Sequence, residues 1–592
     1  MCGIFAVLND KNKAAGKTVF ESLKNLEYRG YDSWGMVIKK KDGQYQLIKK
    51  TGKINPDEKI NIEGISGIGH TRWATHGGVT IDNAHPHFDC QKEIFIVHNG
   101  IIENFQAIKE NLIRKNHRFS SQTDSEVVAH LVEEITKKTQ DKLKIGKQIL
   151  KTFSQLKGLN AFVIYIPKND LFYAIKNSSP LVFGYDDKNK QYFLASDYSV
   201  VADKTENIYY LEDNELLILS CEGYLLINKE GKKKEIKFLK IKLKKDAVTP
   251  GKFPHYMIKE IYEQPAVLEN ILINEKKNTE KLAKIIKKSY GNYFIGCGSA
   301  YYACLAGTYF FSKIAKRHTN ACVASEFNYL VDFLTPKSLV IALSQSGETI
   351  DVISSVKRIK EKKSQVFAIT NVLGSTLYRM ADYKMLLNAG PEKCVLATKS
   401  FTAKLAIIYL LSYKLNGNYQ KAEDDLKKAI QAVKKILKMK NEIAKLAKFL
   451  KNKNHIFILG RGLSYPLALE SALKIKEVSY IHAEGFAAGE LKHGVIALID
   501  KGTPVIVYNP EDETYSDTLS SAFEVLARGA FVIGISNKNS NAFNHFIKID
   551  NCGEATIIPN VVFAQLLGYY LAVEKGLDPD KPRNLAKSVT VK

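Results

Sequence analysis

The sequence lacks any pattern of a disulfide framework, because its eight cysteines are irregularly spaced and no CxxC pair occurs among its 592 residues. That argues against a cystine-rich secreted domain and against a zinc site, and it fits a reducing compartment. No basic region precedes the short apolar run 4–8, so we predict no signal peptide. No apolar stretch is long enough to cross a bilayer, since the best candidate, 561–573, is interrupted by Gln565. We therefore expect a soluble, cytoplasmic protein without a membrane partner.

Strong single-sign charge is present, but the features that usually accompany nucleic-acid binding are not. The net charge of +24 comes from 86 basic and 62 acidic residues, and most of the excess is lysine, as in the segment 427–453. Interleaved arginines and aromatic residues that would stack on bases are missing from this run, whose one aromatic residue is Phe449. We interpret the lysines as a solvated surface and expect no nucleic-acid partner. The hydrophobic fraction of 45% and charged fraction of 25% are typical of globular proteins and exclude disordered, collagen-like and coiled-coil classes.

The length predicts about three to four folding units, and the pattern of the chain changes near its middle. The first 220 or so residues alternate strands and helices in mixed order, whereas apolar runs followed by helices beyond 254 indicate a parallel sheet. Between them the chain is lysine-rich and ends in a Pro-Gly turn. The predicted divisions are a first domain 2–220, a linker region 221–282, lobes 283–422 and 447–582, and a C-terminal tail 583–592.

The two predicted lobes are related by an internal repeat. Three pairs of segments match at nearly constant offsets: 293–301 with 457–465, 338–351 with 503–517, and 366–371 with 532–537. The first pair contains GxGxxY, which resembles half of a dinucleotide-binding fingerprint. Tyr301 and Tyr465 replace the third glycine, and the required acidic residue is absent, so a nicotinamide enzyme is not indicated.

Cys2 follows Met1 directly, and its small side chain suits removal of the initiator methionine. A cysteine with a free α-amine carries both a nucleophile and a base, because an amine with a pKa of about 8 can take the thiol proton. Alone, a cysteine is more often a small buried hydrophobe.

A set of motifs around Cys2 favours the catalytic interpretation. They occur in the order Met1-Cys-Gly-Ile-Phe5, Leu26-Glu-Tyr-Arg-Gly-Tyr-Asp-Ser33, His70-Thr-Arg-Trp-Ala-Thr-His-Gly77, Asn83-Ala-His-Pro-His87, Val97-His-Asn-Gly-Ile-Ile-Glu-Asn104 and Gln122-Thr-Asp-Ser-Glu126. Over about residues 2–220 the chain thus resembles the glutaminase domain of the N-terminal-nucleophile amidotransferases. The resemblance implies an αββα sandwich of the Ntn-hydrolase type.

Glutamine is a zwitterion, so its pocket needs a cation for the carboxylate and an anion for the ammonium group. The resemblance implies that Arg72 and Asp124 take these roles, and that Trp73, Thr75 and His76 complete the glutamine pocket. Trp73 is also our candidate gate for the ammonia path.

The resemblance further implies an oxyanion hole made by the Asn99 side chain and the Gly100 N–H beside the catalytic Cys2. Singly, Arg72 could form a surface ion pair and Asn99-Gly100 a hairpin turn. We interpret His70, His76, His85, His87 and His98 as loop and packing residues, and expect no metal and no other cofactor.

The loop Ser344-Gln-Ser-Gly-Glu-Thr349 lies between an apolar strand and a predicted helix, where backbone N–H groups and hydroxyls can hold a phosphate. Alone, it could equally be a helix N-cap. Three later segments, 470–484, 488–494 and 582–591, extend the resemblance to essentially the whole chain, which is similar to the glutamine–fructose-6-phosphate aminotransferases. That family has two flavodoxin-like, three-layer αβα sugar-isomerase (SIS) lobes. The resemblance implies a homodimer that makes D-glucosamine 6-phosphate and L-glutamate from D-fructose 6-phosphate and L-glutamine, with ammonia channelled between sites.

That reaction opens a ketose ring, forms an imine at C2 and moves a proton from C1 to C2. The resemblance implies that Glu477 is the acid/base, His493 opens the ring, Lys587 activates the carbonyl and Lys474 relays protons beside Glu477. The implied sugar-phosphate residues are Ser299, Ser344, Gln345, Ser346, Thr349, Ala397 and Ala586. Many relatives have serine at Ala300 and Ala397 and proline at Val495; we expect altered affinity at most.

Two alternatives remain open from the sequence. Another amidotransferase with the same glutaminase would need pyrophosphate- or ATP-binding signatures, which 240–592 lacks. A sugar-phosphate-sensing regulator would not need Cys2, Glu477 and Lys587 together, and it would usually carry a DNA-binding domain.

Overall fold

The structure is a computed structural model, and it describes residues 2–9, 14–55, 57–241 and 249–590. These residues form two compact units. The first unit contains the described residues up to 241 together with 588–590, and the second contains 249–587.

The described part of the first unit is built from fifteen strands and four α-helices. The strands are β1 (Gly3–Leu8), β2 (Ser33–Lys39), β3 (Tyr45–Thr51), β4 (Ser66–Arg72), β5 (His87–Phe88), β6 (Phe95–Gly100), β7 (Asn160–Ile166), β8 (Leu171–Lys176), β9 (Val182–Asp186), β10 (Gln191–Ala195), β11 (Asn207–Tyr210), β12 (Leu216–Ser220), β13 (Gly223–Ile227), β14 (Lys233–Lys234) and β15 (Leu239–Lys240). The helices are α1 (Ala15–Leu26), α2 (Phe105–Arg114), α3 (Val127–Thr136) and α4 (Lys142–Phe153).

The strands of the first unit form two sheets that pack face to face. Their orders are β15-β11-β9-β10-β1-β4-β2-β3 and β14-β13-β12-β8-β7-β6-β5. Apolar residues that alternate along β1, β6, β7 and β8 meet between the sheets. Helix α1 covers the outer face of the first sheet, and α2, α3 and α4 cover the second. This four-layer αββα arrangement confirms the fold class predicted for the first domain.

Helix α1 shows how closely these layers approach each other. Its buried residues Val19, Phe20, Leu23 and Leu26 recur at helical spacing and face the sheet. A Cβ at Gly69 of β4 would lie 2.6 Å from Val19 Cγ1 and 2.8 Å from Leu23 Cδ1. Only glycine leaves room for the helix there.

The described part of the second unit is built from ten strands and twelve α-helices. The strands are β16 (Asn292–Gly296), β17 (Asn320–Val323), β18 (Leu339–Ser344), β19 (Gln365–Thr370), β20 (Tyr383–Leu386), β21 (His455–Gly460), β22 (His482–Ala487), β23 (Pro504–Tyr508), β24 (Phe531–Ser536) and β25 (His545–Lys548). The helices are α5 (Tyr256–Asn274), α6 (Lys276–Lys288), α7 (Ser299–Phe310), α8 (Ala324–Phe327), α9 (Ile350–Glu361), α10 (Thr376–Met380), α11 (Lys399–Asn416), α12 (Tyr419–Lys438), α13 (Lys440–Leu450), α14 (Ser464–Ser479), α15 (Tyr515–Leu526) and α16 (Ile557–Glu574).

The second unit contains two parallel five-stranded sheets with the same topology. Their orders are β17-β16-β18-β19-β20 and β22-β21-β23-β24-β25, and every pairing is parallel. This is the 2-1-3-4-5 order of flavodoxin-like folds. The predicted repeat of two flavodoxin-like lobes is therefore confirmed.

Helices α11 and α16 are apolar on nearly all sides because both are buried in the second unit. Within the described residues, one helical stretch, 553–574, is long and apolar enough to cross a membrane, and 89% of its window is buried. This location agrees with our interpretation of 561–573 as a core helix.

The range 221–282, predicted to be a linker, contains ordered elements of both units. Strand β13 belongs to the second sheet of the first unit, while α5 packs on α11 and α12 in the second unit. The lysine-rich composition therefore corresponds to exposed faces of strands and helices as well as to a connection. The predicted domain boundaries remain predictions.

Candidate active sites

Cys2 lies at the start of β1, beside the end of the neighbouring strand β4. The pairing of Gly3 with Thr71 brings it next to Arg72 and Trp73. The Trp73 N–H donates to the Cys2 Sγ at 3.3 Å, and the same sulfur lies 3.6 Å from the Trp73 carbonyl oxygen. The cysteine is half-buried. A thiol held by backbone groups and still partly exposed is suited to attack a bound substrate.

Asn99 and Gly100 end strand β6 of the opposite sheet, and Asn99 points toward Cys2. Its Nδ2 donates to the Cys2 carbonyl at 3.0 Å, and its Oδ1 lies 3.2 Å from His70 Nε2. Burial lowers the pKa of His70 to about 3, so the ring is neutral at physiological pH. The same Nε2 lies 2.9 Å from the His98 carbonyl oxygen, so it must carry the hydrogen. His70 thereby turns the amide nitrogen of Asn99 toward Cys2, a role that the sequence analysis did not find.

Gly100 has a φ of 138°, and a Cβ there would lie 2.0 Å from the Leu159 carbonyl oxygen. Both the backbone conformation and the space require glycine.

Arg72 and Asp124 are both buried at 3% exposure, and each is held by backbone groups. Arg72 donates from Nη2 to the carbonyls of His76 at 2.6 Å and Gly77 at 3.1 Å, and from Nη1 to that of Gly78 at 3.1 Å. Asp124 accepts from the Ile102 N–H at 2.7 Å. Burial lowers the pKa of Arg72, and the neighbouring Cys2, Asp32 and Asp124 partly offset that effect. Arg72, Asp124 and the Cys2 thiol therefore lie close enough to interact electrostatically.

The remaining predicted pocket residues lie on the loop that Arg72 holds. The Trp73 ring packs edge-on against Tyr31 at 5.7 Å, and the His76 ring packs against Phe105 at 5.6 Å. Thr75 is exposed. Asp32, which the sequence analysis did not single out, accepts from the Ala74 N–H at 2.8 Å and fixes the start of this loop. Asp32 lies in the motif 26–33, which was recognised in the sequence, but the motif did not indicate what Asp32 does.

In the second unit, the loop 344–349 connects the end of β18 to the start of α9. Ser344 Oγ accepts from the Gly347 N–H at 3.0 Å and lies 2.8 Å from Thr349 Oγ1. The Ser346 hydroxyl oxygen accepts from the Glu348 N–H at 3.1 Å. The loop therefore places hydroxyls and backbone donors around the N-terminus of a helix, where an anion is stabilised.

Helix α14 carries three ionisable side chains on one face. Lys474 Nζ lies 2.7 Å from Glu477 Oε2 and 3.5 Å from Glu470 Oε1. The side chains of Lys474 and Glu470 are fully buried, while that of Glu477 is 20% exposed. The pair is therefore not a surface salt bridge, and Glu477 is the member that a ligand can reach.

Two pKa shifts characterise this face of α14. Burial, with a smaller contribution from the Glu477 charge, raises the pKa of Glu470 to about 7 although Lys474 and Ser299 oppose it. Burial acts to lower the pKa of Lys474, but Glu470 and Glu477 outweigh it and raise that pKa. Ser299, at the start of α7, thus lies close enough to affect the pKa of Glu470, which the sequence analysis missed as a site residue.

Lys587 is also buried and bound to a carboxylate. Its Nζ donates to Glu392 Oε2 at 2.6 Å and to the Leu396 carbonyl at 3.0 Å, and its side chain is 6% exposed. Ala397 and Ala586, next in sequence to Leu396 and Lys587, are half-buried.

Glu392 is held in turn by the start of α11. It accepts from the Thr398 and Ser400 N–H groups at 3.0 and 2.9 Å and from the Ser400 hydroxyl at 2.9 Å. Burial acts to raise the pKa of Glu392, but Lys587 and Lys404 outweigh it and lower that pKa to about 2. Burial and the Glu392 charge raise the pKa of the nearby Glu260 to about 8. Glu392 is therefore the charged carboxylate that faces Lys587.

His493 is the predicted catalytic residue that the structure does not bring into this cluster. It is exposed, and within the described residues its side chain has no hydrogen bond or ion pair. No contact joins it to Glu477 or Lys587 of the same chain.

Comparisons with known proteins match both halves of the chain. The glutamine amidotransferase domain family matches residues 70–203, and the SIS domain family matches residues 285–413 and 449–572. Glutamine–fructose-6-phosphate aminotransferases (isomerizing) from Thermococcus kodakarensis and Fusobacterium nucleatum are each 39% identical to this chain, over 100% of both chains. A solved structure of the C-terminal domain of glucosamine-fructose-6-phosphate aminotransferase from Francisella tularensis is 34% identical. It covers 56% of this chain and 99% of its own, with a TM-score of 0.53.

The geometry of the loop 344–349 generates a stability prediction. Gly347 has a φ of 66°, and a Cβ there would lie 2.0 Å from Ser375 Oγ and 2.6 Å from Ser375 Cβ. We expect Gly347→Ala to lower the free energy of unfolding by more than the roughly 1–2 kcal/mol of left-handed strain alone. Gly417→Ala is the matched control, because Gly417 is in the left-handed conformation and no atom lies within 4 Å of the added Cβ.

Ser375→Gly in the Gly347→Ala background should recover the difference between the two variants, because it removes both clashing atoms. Equal losses of stability in Gly347→Ala and Gly417→Ala, measured by calorimetry, would contradict the close packing of this loop.

Proposed function

Because this chain belongs to the glutamine–fructose-6-phosphate aminotransferases (isomerizing), we propose that its two units divide the family's reaction between the two sites described above. The enzyme converts D-fructose 6-phosphate and L-glutamine into D-glucosamine 6-phosphate and L-glutamate, the first step of hexosamine synthesis. The observation that carries the proposal is that both chemical sets occur in one chain: Cys2 with Asn99, and the buried Lys474–Glu477 and Lys587–Glu392 pairs. The alternatives of a regulator or another amidotransferase are not favoured, because relatives with this activity match over the full length.

In the first unit, the Cys2 thiol attacks the side-chain amide carbon of glutamine and its α-amine takes the proton. This step requires removal of Met1, which lies outside the described residues. The tetrahedral oxyanion receives hydrogen bonds from Asn99 Nδ2 and the Gly100 N–H. Ammonia leaves, and water hydrolyses the thioester to release glutamate.

Recognition of glutamine falls to Arg72 and Asp124. The guanidinium binds the α-carboxylate, and Asp124 binds the ammonium group. Both are buried beside Cys2, so their interactions with substrate take place with little screening by water.

In the second unit, the hydroxyls and N–H groups of the loop 344–349 hold the phosphate of fructose 6-phosphate. His493 opens the ring, and Lys587 activates the C2 carbonyl. Ammonia forms the imine at C2. Glu477 then removes a proton from C1 and a proton is delivered to C2, which gives the 2-amino aldose. Lys474, 2.7 Å from Glu477, stabilises the carboxylate form of this acid/base.

We also propose that the enzyme is a cytoplasmic homodimer without nucleic-acid or membrane partners. The exposure of His493, and its lack of a contact with Glu477 or Lys587 among the described residues, support a role at the sugar site of a second copy. An ammonia path that excludes water would join the two chemistries, since free ammonia is protonated at neutral pH.

Replacing Cys2 with alanine is expected to abolish glutamine hydrolysis by more than about 1,000-fold, because no other group supplies the nucleophile. Isomerisation of fructose 6-phosphate should continue, since its residues lie in the other unit. Glutamate release and sugar-phosphate conversion, assayed separately, test this assignment. Normal glutamate release by Cys2→Ala would show that the nucleophile is another residue, and enzyme that retains Met1 should behave like the variant.

Replacing Glu392 with glutamine removes the charge that holds Lys587 in a buried site. We expect glucosamine 6-phosphate synthesis to fall at least about tenfold, because an unpaired buried ammonium group is displaced or loses its proton. Glutaminase activity should be unchanged. The matched control is Glu263→Gln, since Glu263 pairs with Lys399 and its side chain is 34% exposed. Equal synthesis rates in the two variants would exclude this role for Glu392.

Removing the three hydroxyls of the phosphate loop in Ser344→Ala/Ser346→Ala/Thr349→Ala should raise KM for fructose 6-phosphate at least about 100-fold. Hydrogen bonds to a charged group contribute roughly 1.5–3 kcal/mol each. The KM for glutamine should not change, and initial rates at varied concentrations of each substrate measure both values.

The repeat supplies the control for this experiment. The corresponding loop of the second lobe, 509–514, carries Glu511 paired with Lys538 and Glu513 paired with Lys313. It lines a cavity of about 210 Å³ whose acidic side chains repel a phosphate. Glu511→Ala/Glu513→Ala should therefore leave KM unchanged. Unaltered fructose 6-phosphate affinity in the triple variant would overturn the assignment of the phosphate to the first lobe.

Trp73→Ala is expected to keep the glutaminase working but to uncouple it from synthesis, giving more glutamate than glucosamine 6-phosphate. The Trp73 N–H donates to the Cys2 sulfur, so the Trp73 side chain begins close to the thiol at which ammonia is released. Trp73→Phe, which keeps an aromatic ring, is the control and should retain more of the coupling. A one-to-one product ratio in Trp73→Ala would remove Trp73 as the gate.

A further inference from the structure

Four potential metal-binding side chains converge in the first unit, away from the residues assigned to glutamine. Cys90 follows β5, His117 lies in the connection between α2 and α3, and His130 and Glu133 lie one turn apart on α3. One ligand atom from each lies within 4.8 Å of the others. His117, His130 and Glu133 are buried and Cys90 is half-buried.

Five of the six distances between these atoms are close to the edges of a tetrahedron around a zinc ion. With Zn–S of about 2.3 Å and Zn–N and Zn–O of about 2.0–2.2 Å, nitrogen and oxygen ligands lie about 3.4 Å apart and sulfur lies about 3.6 Å from nitrogen. Cys90 Sγ lies 3.6 Å from Nδ1 of both histidines, and the two Nδ1 atoms are 3.2 Å apart. Glu133 Oε2 lies 3.0 Å from His117 Nδ1 and 3.3 Å from His130 Nδ1.

The buried imidazoles of this cluster are incompletely hydrogen-bonded. Within the described residues the Nε2 atoms of His117 and His130 have no hydrogen-bond partner, although Glu134 Oε1 lies 3.2 Å from the first and Glu126 Oε1 lies 3.7 Å from the second. If both rings carry their one hydrogen on Nε2, the two Nδ1 lone pairs face each other at 3.2 Å. A cation between the Nδ1 atoms removes this repulsion and leaves each Nε2–H on the side of a carboxylate.

The surroundings of the cluster also fit a bound metal. Metal-ligating histidines commonly donate their second N–H to a carboxylate, as Glu134 and Glu126 are placed to accept here. Glu126 is itself fixed by the Ser120 and Ser121 N–H groups at 2.6 and 2.7 Å. The Arg118 N–H donates to Cys90 Sγ at 3.4 Å, which stabilises a thiolate.

We propose that Cys90, His117, His130 and Glu133 bind one zinc ion at a structural site. The set of one thiolate, two imidazoles and one carboxylate favours zinc over magnesium or calcium, which take oxygen ligands. Four protein ligands leave no open coordination position, so the ion holds structure and does no chemistry. It fastens the turn after β5 and the connection between α2 and α3 onto helix α3.

The site lies next in sequence to part of the glutamine pocket. Glu126, the acceptor for His130, comes two residues after Asp124, whose carboxylate holds the Ile102 N–H. Zinc thus stiffens the segment that carries Asp124.

The test uses the full-length enzyme, purified without chelators, with metal content measured by inductively coupled plasma mass spectrometry. We expect one zinc per chain, lost in Cys90→Ser and His117→Ala. Cys221→Ser changes an exposed cysteine of the same unit, and Cys2→Ala changes the nucleophile; both should retain zinc. In stripped enzyme, cobalt should give a tetrahedral spectrum with a thiolate charge-transfer band that Cys90→Ser lacks.

Glu134→Gln keeps all four ligands and therefore serves as a milder variant. Loss of such an outer partner typically weakens metal binding about 10- to 100-fold, and a zinc titration against a chromophoric chelator measures this change. The chain has two tryptophans, Trp34 and Trp73, both in the first unit, so their fluorescence follows unfolding there. Zinc should stabilise stripped enzyme in this assay and have no effect on Cys90→Ser.

Absence of stoichiometric zinc in purified enzyme, together with no cobalt–thiolate band after titration, would overturn the proposal. So would zinc binding of equal affinity in the wild-type and Cys90→Ser enzymes, since Cys90 would then not be a ligand. In either case the cluster would be a hydrogen-bonded ion network only.

Discussion

Compensation of buried charge is the constraint on which both sites depend. An ionised side chain out of water is stable only beside an opposite charge or several hydrogen-bond partners. Lys474 and Lys587 are the clearest cases, because each is almost fully removed from solvent and each is joined to a glutamate. If one member of such a pair is replaced by an uncharged residue, the remaining charged side chain moves, loses its charge or destabilises the fold. The same interactions that keep these lysines inside the protein therefore also fix the positions of their ammonium groups.

The duplicated lobes show how one topology can support two different tasks. Both sheets have the same order, and in both a loop follows the third strand in sequence. In the first lobe this loop contains three hydroxyl side chains and a glycine. In the second lobe the Asp512 carboxylate lies in the loop and accepts from the Thr514 N–H and hydroxyl. The second lobe contributes helix α14 instead. The two lobes thus keep one strand order while the loop after the third strand differs in charge.

Sequence patterns predicted the architecture well because they reflect local rules. Apolar runs followed by helices gave the parallel lobes, and the constant offsets of the repeat gave their number. The pair Lys474–Glu477 was also accessible, since a spacing of three residues on a helix puts two side chains on one face. The partner of Lys587 could not be predicted, because Glu392 precedes it by 195 residues and only the fold brings the two side chains together.

The cluster at Cys90 was missed for a related reason. Its members come from three separate segments, and only His130 and Glu133 show a helical spacing, so no short motif marks them. The five histidines that the motifs did contain are not part of it. Contacts of this kind depend on how a turn, a loop and a helix pack, and packing is not encoded in any single window of sequence.

The contacts of Arg72 have a consequence for how the first substrate enters. A guanidinium has four hydrogens on its two terminal nitrogens, and three of them already point at the carbonyls of residues 76, 77 and 78. An end-on carboxylate needs one hydrogen from each terminal nitrogen, but both on Nη2 are taken. Capture of glutamine in that mode must therefore exchange a carbonyl of the loop for the ligand. Binding in that mode therefore requires the loop that begins at Trp73 to rearrange. This would be an induced fit, and it follows from the number of hydrogens that Arg72 has available.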